Sequence, residues 1–445
     1  MKKNFKFWLM LLVAVFTLSV LAACSGSDTE EKGTEKEPEK ESADKPEVNL
    51  DEEVTIRWAH QWGADHFWNG IGKDLKEKFP NVTIEVQQAG TDHPEDLEKL
   101  IAAKKSPDIV TMGLVTHANF LNNLGLAYNM DDLIAESGFD LNRLEPSIVQ
   151  YARNQDPNKE DGLYILPNAR PTWALHYNKD VFDTLGVEYP ADGLTWEEVL
   201  ELAKELTREV GGVQYRGLDL DVPYDAYTQF SQNSIDPETN EVLIAESEAY
   251  RRHLEYVGDV VAIPGNYPAS EPASLLHNWG SLFSEGNIAM APAATHYGWL
   301  GTDNVDIATY PVWKGYEGLN PVPNAGGYAI TAPSEHKEIT MEIVKYLLSD
   351  EYQMGVSKAG GASVLVNQEV HDVFGTENEN LAGKNTAALF KNEYATGPAK
   401  KARYGDGVLW TAPIKYVESG KDINEFLRIL QEEAEENVRK AMESE

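Results

Sequence analysis

The stretch VTIRWAHQWGADHFWNGIGKDLKEKFPNVTIEVQQ, residues 54–88, decides the fold class of this chain. Its first five residues alternate like a β-strand. Apolar residues then recur every four positions from Ile71 to Phe79, as on a helix face, and alternation resumes at Val82. Strands that alternate with helices predict an α/β fold with a parallel sheet covered on both faces.

The same pattern continues outward from this stretch. A helix is predicted over 96–105 and a strand over 107–112, and further strands are predicted near 173–177, 288–291 and 328–330. Thr195-Trp196-Glu197-Glu198 reads as a capping box that begins a helix, and residues 423–442 have helical spacing. The body over 54–445 is too long for one ordinary core, so two domains are expected.

The N-terminus predicts export and lipid anchoring. Lys2, Lys3 and Lys6 precede a short apolar run, and Leu21-Ala22-Ala23 leads into Cys24, the only cysteine of the chain. A basic start, a short apolar core and small residues are typical of a signal peptide, here residues 1–23. The ending resembles the lipobox of bacterial lipoproteins, in which acyl chains such as palmitate on the cysteine anchor the protein to the cell membrane.

Composition separates a linker from the folded body. Residues 24–53 form an acidic linker with almost no apolar side chains, which predicts a disordered spacer. The formal net charge of the chain is −35, so the basic footprint of a nucleic-acid-binding protein is missing.

Motifs of the common enzyme and metal sites are also missing. The sequence contains no zinc-binding His-Glu-x-x-His motif, no Gly-x-Ser-x-Gly elbow and no phosphate loop, and its ten histidines lack ligand spacing. We therefore expect no metal, no cofactor and no enzyme activity. A glycan-active enzyme with a carboxylate pair stays an alternative, because 73 acidic residues offer many such pairs.

Four blocks of sequence resemble the extracellular sugar-binding proteins of ABC importers, the group that includes maltose-binding protein. In order along the chain, they lie at residues 162–167 with 175–182, at 195–199, at 283–290 and at 326–330. The resemblance implies a two-lobe periplasmic-binding-protein-like fold with an inter-lobe cleft and a hinge. It places the N-terminal lobe at 54–168 and 309–352 and the C-terminal lobe at 169–308 and 353–445.

Aromatic and acidic side chains near strand ends are the predicted ligand contacts, because sugar rings stack on aromatic planes and carboxylates accept hydroxyl hydrogen bonds. By position within the resemblance, the candidates are Trp62, Asp65, Asp221, Tyr224, Tyr297, Trp299, Tyr328 and Trp410. Their neighbours His60, Gln61, Met112, Thr116, His117, Arg170, Trp173 and Asp219 are further candidates. Trp58 and Trp196 are expected to be structural.

The sequence thus predicts a monomeric, lipid-anchored receptor that binds an oligosaccharide and delivers it to the permease of an ABC transporter. A receptor for another small solute, such as a peptide, a metal or phosphate, stays open as an alternative, as does an adhesin.

Overall fold

The computed structural model describes residues 48–88, 94–114, 117–220, 224–267, 283, 285–295, 300–302, 304–404 and 407–443. These residues all belong to one compact unit. The predicted signal peptide, Cys24 and the linker up to residue 47 lie outside the described residues.

The strands of the described residues are short and mostly buried. They are β1 (Val54–His60), β2 (Val82–Gln88), β3 (Ile109–Gly113), β4 (Leu166–Pro167), β5 (Trp173–Asn178), β6 (Arg208–Val210), β7 (Val213–Leu218), β8 (Ile288–Ala294), β9 (Val305–Thr309), β10 (Leu319–Asn320), β11 (Gly326–Ile330) and β12 (Glu393–Tyr394).

The helices connect these strands and form the C-terminal part of the chain. They are α1 (Gly63–Asn69), α2 (Gly72–Lys78), α3 (Pro94–Ala102), α4 (His117–Asn123), α5 (Asp131–Ser137), α6 (Pro146–Asn154), α7 (Lys179–Leu185), α8 (Trp196–Leu206), α9 (Tyr224–Thr228), α10 (Glu248–Ala262), α11 (Lys337–Leu347), α12 (Asp350–Lys358), α13 (Gln368–Asp372), α14 (Val408–Ser419) and α15 (Ile423–Glu443).

 Helix α15 is the long C-terminal helix. No helix among the described residues combines the length and apolar character that a membrane span requires.

Two five-stranded sheets organise the body. The first has the strand order β2-β1-β3-β11-β4, and the second has the order β6-β7-β8-β5-β9. Strands β10 and β12 form a separate two-stranded sheet. The first sheet therefore takes its strands from 54–167 and from 326–330, and the second takes its strands from 208–309 and from 173–178.

Both five-stranded sheets are mixed, so the predicted parallel pairing holds only in part. Strand β1 is parallel to β2 and to β3, and β7 is parallel to β8, but β11 is antiparallel to β3 and to β4, and β5 is antiparallel to β8 and to β9. The chain enters β5 from the first sheet through residues 168–172, and it enters β11 from the second sheet through residues 310–325. Each of these strands therefore begins beside the C-terminal ends of its neighbours and is antiparallel to them.

The predicted structural tryptophans are confirmed as core residues. Trp58 and Trp196 are each 1% exposed, and their indole N–H groups donate to the Thr111 hydroxyl (2.7 Å) and to the Gln229 side-chain oxygen (2.9 Å). The capping box at α8 is also confirmed, because the Thr195 hydroxyl accepts from the Glu198 N–H and the Glu198 carboxylate accepts from the Thr195 N–H.

Candidate functional site

Two connections join the first sheet to the second. Strand β4 ends at Pro167 and β5 begins at Trp173, so only residues 168–172 connect them. Five residues reach at most about 18 Å, so the end of β4 and the start of β5 are close together. The return connection, residues 310–325, runs from the end of β9 to the start of β11. Ligands of open α/β sheets bind at such carboxyl ends of strands.

The loop after β1 carries an exposed aromatic side chain at this edge. Trp62 is 60% exposed, and its ring lies 4.9 Å from that of His66, which stacks on His60 at 5.3 Å. Asp65 is also exposed, in the first turn of α1. The structure therefore brings the candidates Trp62 and Asp65 together on one short segment.

The buried His60 is hydrogen-bonded to the backbone of this loop. It is 5% exposed, and its Nδ1 accepts a hydrogen bond from the Trp62 backbone N–H at 3.3 Å. Burial, and then the neighbouring His66, lower the pKa of His60 to about 4. The imidazole is therefore neutral at pH 7, which suits its role as an acceptor.

Tyr328 lies in the core of the first sheet. It is 4% exposed, and its ring meets Trp58 edge-on at 5.9 Å. Burial raises the pKa of Tyr328 to about 12, although a side-chain hydrogen bond from Asn168 partly offsets the effect. Tyr328 contacts protein groups in this conformation, and its hydroxyl is hydrogen-bonded to the side chain of Asn168. The sequence analysis did not identify Asn168 as a candidate. The signal was available, because Asn168 directly follows a strand.

The connection over 168–172 is held on both sides. Arg170 pairs with Glu145 at 3.4 Å, and its guanidinium lies 5.7 Å from the ring centroid of Tyr394. The Tyr394 hydroxyl donates to the Pro171 carbonyl at 2.5 Å. Arg170 therefore fastens the segment between the two sheets.

At the edge of the second sheet, Asp219 is committed to internal contacts. It is fully buried and pairs with Arg216 at 2.5 Å, and the Leu220 N–H donates to the Tyr267 hydroxyl at 3.1 Å. Trp173, the first residue of β5, is 6% exposed, and its indole N–H has no hydrogen-bond partner among the described residues. Met112, by contrast, lies in the core at 2% exposure.

Several candidates can be placed only in part or not at all. Asp221, Tyr297, Trp299 and Thr116 lie outside the described residues. His117 begins α4 and Tyr224 begins α9, but their side chains are not described. Trp410 is 41% exposed on α14, which contacts α9, so the helices that carry Trp410 and Tyr224 lie side by side. Within the described residues, no group of three His, Cys, Asp or Glu side chains could hold a metal ion.

Two curated relatives are periplasmic binding proteins. The sn-glycerol-3-phosphate-binding periplasmic protein of Agrobacterium fabrum is 28% identical over 159 residues, which cover 34% of this chain and only 35% of that protein. Its namesake from Brucella melitensis is 24% identical over 335 residues, which cover 69% of this chain and 74% of that protein.

Solved structures show the fold. The sugar-binding protein of Xanthomonas citri matches with a TM-score of 0.67 at 18% identity, over 87% of this chain and 98% of that one. An ABC substrate-binding protein from Listeria monocytogenes in complex with cycloalternan matches with a TM-score of 0.65 at 17% identity, over 88% of this chain and 99% of that one. The chain thus has the two-lobe α/β fold of periplasmic solute-binding proteins.

The family follows from the sequence match. Residues 63–354, more than half of the chain, match the model of the bacterial extracellular solute-binding protein. This protein therefore belongs to the bacterial extracellular solute-binding protein family.

Proposed function

We propose that this protein is an extracytoplasmic receptor that binds an oligosaccharide between its two lobes and delivers it to the permease of an ABC importer. The family membership supports the receptor role, and the cycloalternan complex and the sugar-binding protein among the similar structures support a saccharide cargo. Closure of the lobes on the cargo would present a surface to the permease that the open form lacks.

The exposure of Trp62 carries this proposal. Trp62 is 60% exposed, so much of its apolar ring is not covered by protein groups. Because it follows a strand at the carboxyl end of the sheet, its face is available to a ligand. The apolar face of a sugar ring fits such a plane, and the nearby Asp65 carboxylate can accept hydroxyl hydrogen bonds. Trp410 would contribute a second plane from the other lobe, with Asp221, Tyr224, Tyr297 and Trp299 as the remaining proposed contacts. The buried Tyr328 would not touch the cargo in this conformation.

The second candidate cargo is sn-glycerol-3-phosphate, because the two relatives described above carry its name. A phosphate dianion is bound most strongly by cationic side chains, whereas the segment after β1 offers Trp62, the acidic Asp65 and a neutral His60. The described groups therefore favour the uncharged saccharide.

A thermal-shift experiment separates the two. Purified protein is heated with maltose, longer maltooligosaccharides, cycloalternan or sn-glycerol-3-phosphate. A cargo that binds only the folded form stabilises it by about 2.7 kcal/mol at a hundred times its Kd, and the melting temperature rises as a result. A shift with a saccharide and none with sn-glycerol-3-phosphate supports the proposal, and the reverse result replaces it with the second candidate.

The receptor would act without chemistry on its cargo. Chromatography of the saccharide after incubation tests this point, and recovery of shortened products would contradict it. Light scattering of the saccharide-bound protein tests the proposed monomer in the same sample.

The anchor is a separate part of the proposal. Cys24 would carry the lipid that holds the mature chain at the cell membrane, with residues 24–53 as the spacer. Mass spectrometry of the membrane fraction should find an acylated peptide that begins at Cys24, and Cys24→Ser should release the protein into the medium. Retention of that variant in the membrane would remove the anchor assignment.

A further inference from the structure

A small cavity lies in the interior beside the second sheet, away from the loop that carries Trp62. Its lining comes from helices α8, α9 and α10 and from residues that follow β7 and β9. The cavity has a volume of about 10 Å³ for the centre of a water molecule, and every residue of its lining is buried. This volume is enough for one water molecule and for little else.

Two polar side chains of the lining have no hydrogen-bond partner in the described part of the chain. They are the imidazole of His253, at both of its nitrogens, and the hydroxyl of Tyr256. Both residues are buried. Because a buried polar atom without a partner is costly, nearly all such atoms in native proteins are bonded to protein or to ordered water. These two side chains therefore point to a molecule held inside the protein.

Helix α10 presents both side chains to the same cavity. His253 and Tyr256 are three residues apart on this helix, and residues at that spacing are neighbours on a helix surface. The indole N–H of Trp196 also belongs to the lining, but it already donates to the Gln229 side-chain oxygen at 2.9 Å. The imidazole and the phenol are thus left to bind whatever fills the cavity.

The protonation of the pair suits a neutral partner that both donates and accepts hydrogen bonds. Burial lowers the pKa of His253 to about 3, so its ring is neutral at pH 7, with one N–H donor and one acceptor nitrogen. Burial also raises the pKa of Tyr256 well above its usual range, so the phenol keeps its proton. A water molecule donates two hydrogen bonds and accepts two, and it can therefore bond to both groups at once.

We propose that this cavity is a binding site for one structural water molecule, which bridges the imidazole of His253 and the hydroxyl of Tyr256. The water supplies the hydrogen bonds that the described protein groups do not, and it stabilises the packing of α10 against α8 and α9. This inference does not depend on the cargo, so it stands or falls separately from the proposed function.

A high-resolution crystal structure of the wild-type chain tests the site directly. Density for one water should lie within about 3.2 Å of an imidazole nitrogen of His253 and of the Tyr256 hydroxyl oxygen. The density should be lost when His253→Phe and Tyr256→Phe are combined, because cavities lined by apolar groups stay dry. A wild-type cavity without density, or a water that contacts neither group, would overturn the proposal.

Urea denaturation of Tyr256→Phe gives an independent test, because the expected sign depends on the water. If the hydroxyl is bonded to a bound water, its removal should raise the equilibrium constant of unfolding about three- to tenfold. A hydroxyl that is buried without any partner would give an unchanged or smaller constant, and this result would contradict the proposal. Tyr189→Phe is the control, since its hydroxyl donates to Asp183 at the surface, and it should change the constant by about twofold or less.

A double-mutant cycle tests the bridge itself. His253→Phe keeps a planar ring and removes both nitrogens. Either substitution alone already weakens the hold on a shared water, so the combined variant should lose less stability than the sum of the two single losses. Additive losses would show that His253 and Tyr256 do not share one water and would overturn the bridging role.

Discussion

The aromatic side chains at the edge of the first sheet differ from those beneath the second sheet in one respect, which is whether the protein already satisfies them. Trp62 is 60% exposed, and its indole N–H has no partner among the described residues. Trp196 and Trp313 are each 1% exposed, and their indole N–H groups donate to Gln229 and to the Ala226 carbonyl. The first kind of tryptophan is free to bind a ligand, and the second kind builds the core.

The buried kind forms a continuous layer, called here the aromatic layer. Its rings lie between the second sheet and helices α8 to α10, with neighbouring centroids 4.3–6.1 Å apart, and they belong to Trp173, Trp196, Tyr227, Phe230, Tyr250, Tyr256, Tyr310, Trp313 and Tyr316. An aromatic-rich composition therefore does not by itself measure the size of a binding site. In this lobe it mostly reflects packing.

The largest expected difference between the two regions is in stability. Trp196→Ala should lower the free energy of unfolding by about 3–5 kcal/mol, because it opens a cavity in the aromatic layer and leaves Gln229 without its indole partner. Trp62→Ala should change it by less than about 0.5 kcal/mol, since the ring is exposed. Urea denaturation measures both, and similar losses would erase the comparison.

The pH dependence of stability sharpens the comparison on the acid side. Burial in the aromatic layer lowers the pKa of His253 from 6.5 to about 3, so the folded protein keeps the imidazole neutral. As the pH falls below 6.5, the unfolded chain gains a proton that the folded chain does not, and the free energy of unfolding falls by about 1.4 kcal/mol per pH unit. His253→Gln should flatten this slope between pH 6.5 and pH 5, and an unchanged slope would contradict the assignment.

Ligand affinity should respond in the opposite way to stability. Trp62→Ala should weaken saccharide binding by about 1–3 kcal/mol through the loss of a stacking plane. Tyr189→Ala is the control, because Tyr189 is also an exposed aromatic residue, at 43%, but its hydroxyl donates to Asp183 of α7. Calorimetry should find the control unchanged, and equal losses in both variants would indicate a nonspecific effect of removing surface rings.

The smallest effect is expected at the rim of the aromatic layer. The Arg252 guanidinium lies 5.1 Å from the ring centroid of Trp313 and pairs with Glu197 at 2.5 Å, but it is partly exposed. Arg252→Ala should therefore cost only about 0.5–1 kcal/mol in the free energy of unfolding, with saccharide affinity unchanged. A loss as large as that of Trp196→Ala would place Arg252 within the core of the layer.

Much of the local structure could be predicted from the sequence because it depends on near neighbours. The capping box at Thr195 needs only Glu198 three residues away, and the strand that begins at Val54 shows its alternation directly. The helix predicted over 96–105 is observed at Pro94–Ala102, and it ends before Lys104, which has a positive φ of 55° that no local pattern announces.

The candidate site was predicted less well, because exposure depends on distant residues. Trp62 and Trp173 both lie beside a strand end, yet one is exposed and the other is 6% exposed against Tyr310. Asn168 escaped notice because its partners, Gly326 and Tyr328, are far away in sequence and adjacent only in the sheet.

The sequence by itself determined the α/β class, the positions of several strands and helices, and the family resemblance, because hydrophobic period and capping act within a few residues of the chain. Only the tertiary structure decided the strand directions, the sorting of tryptophans into exposed and buried, and the pairing of Gly113 with Gly326 beside Asn168. The reason is that these features arise where segments more than a hundred residues apart pack against each other, and no local pattern records which segments will meet.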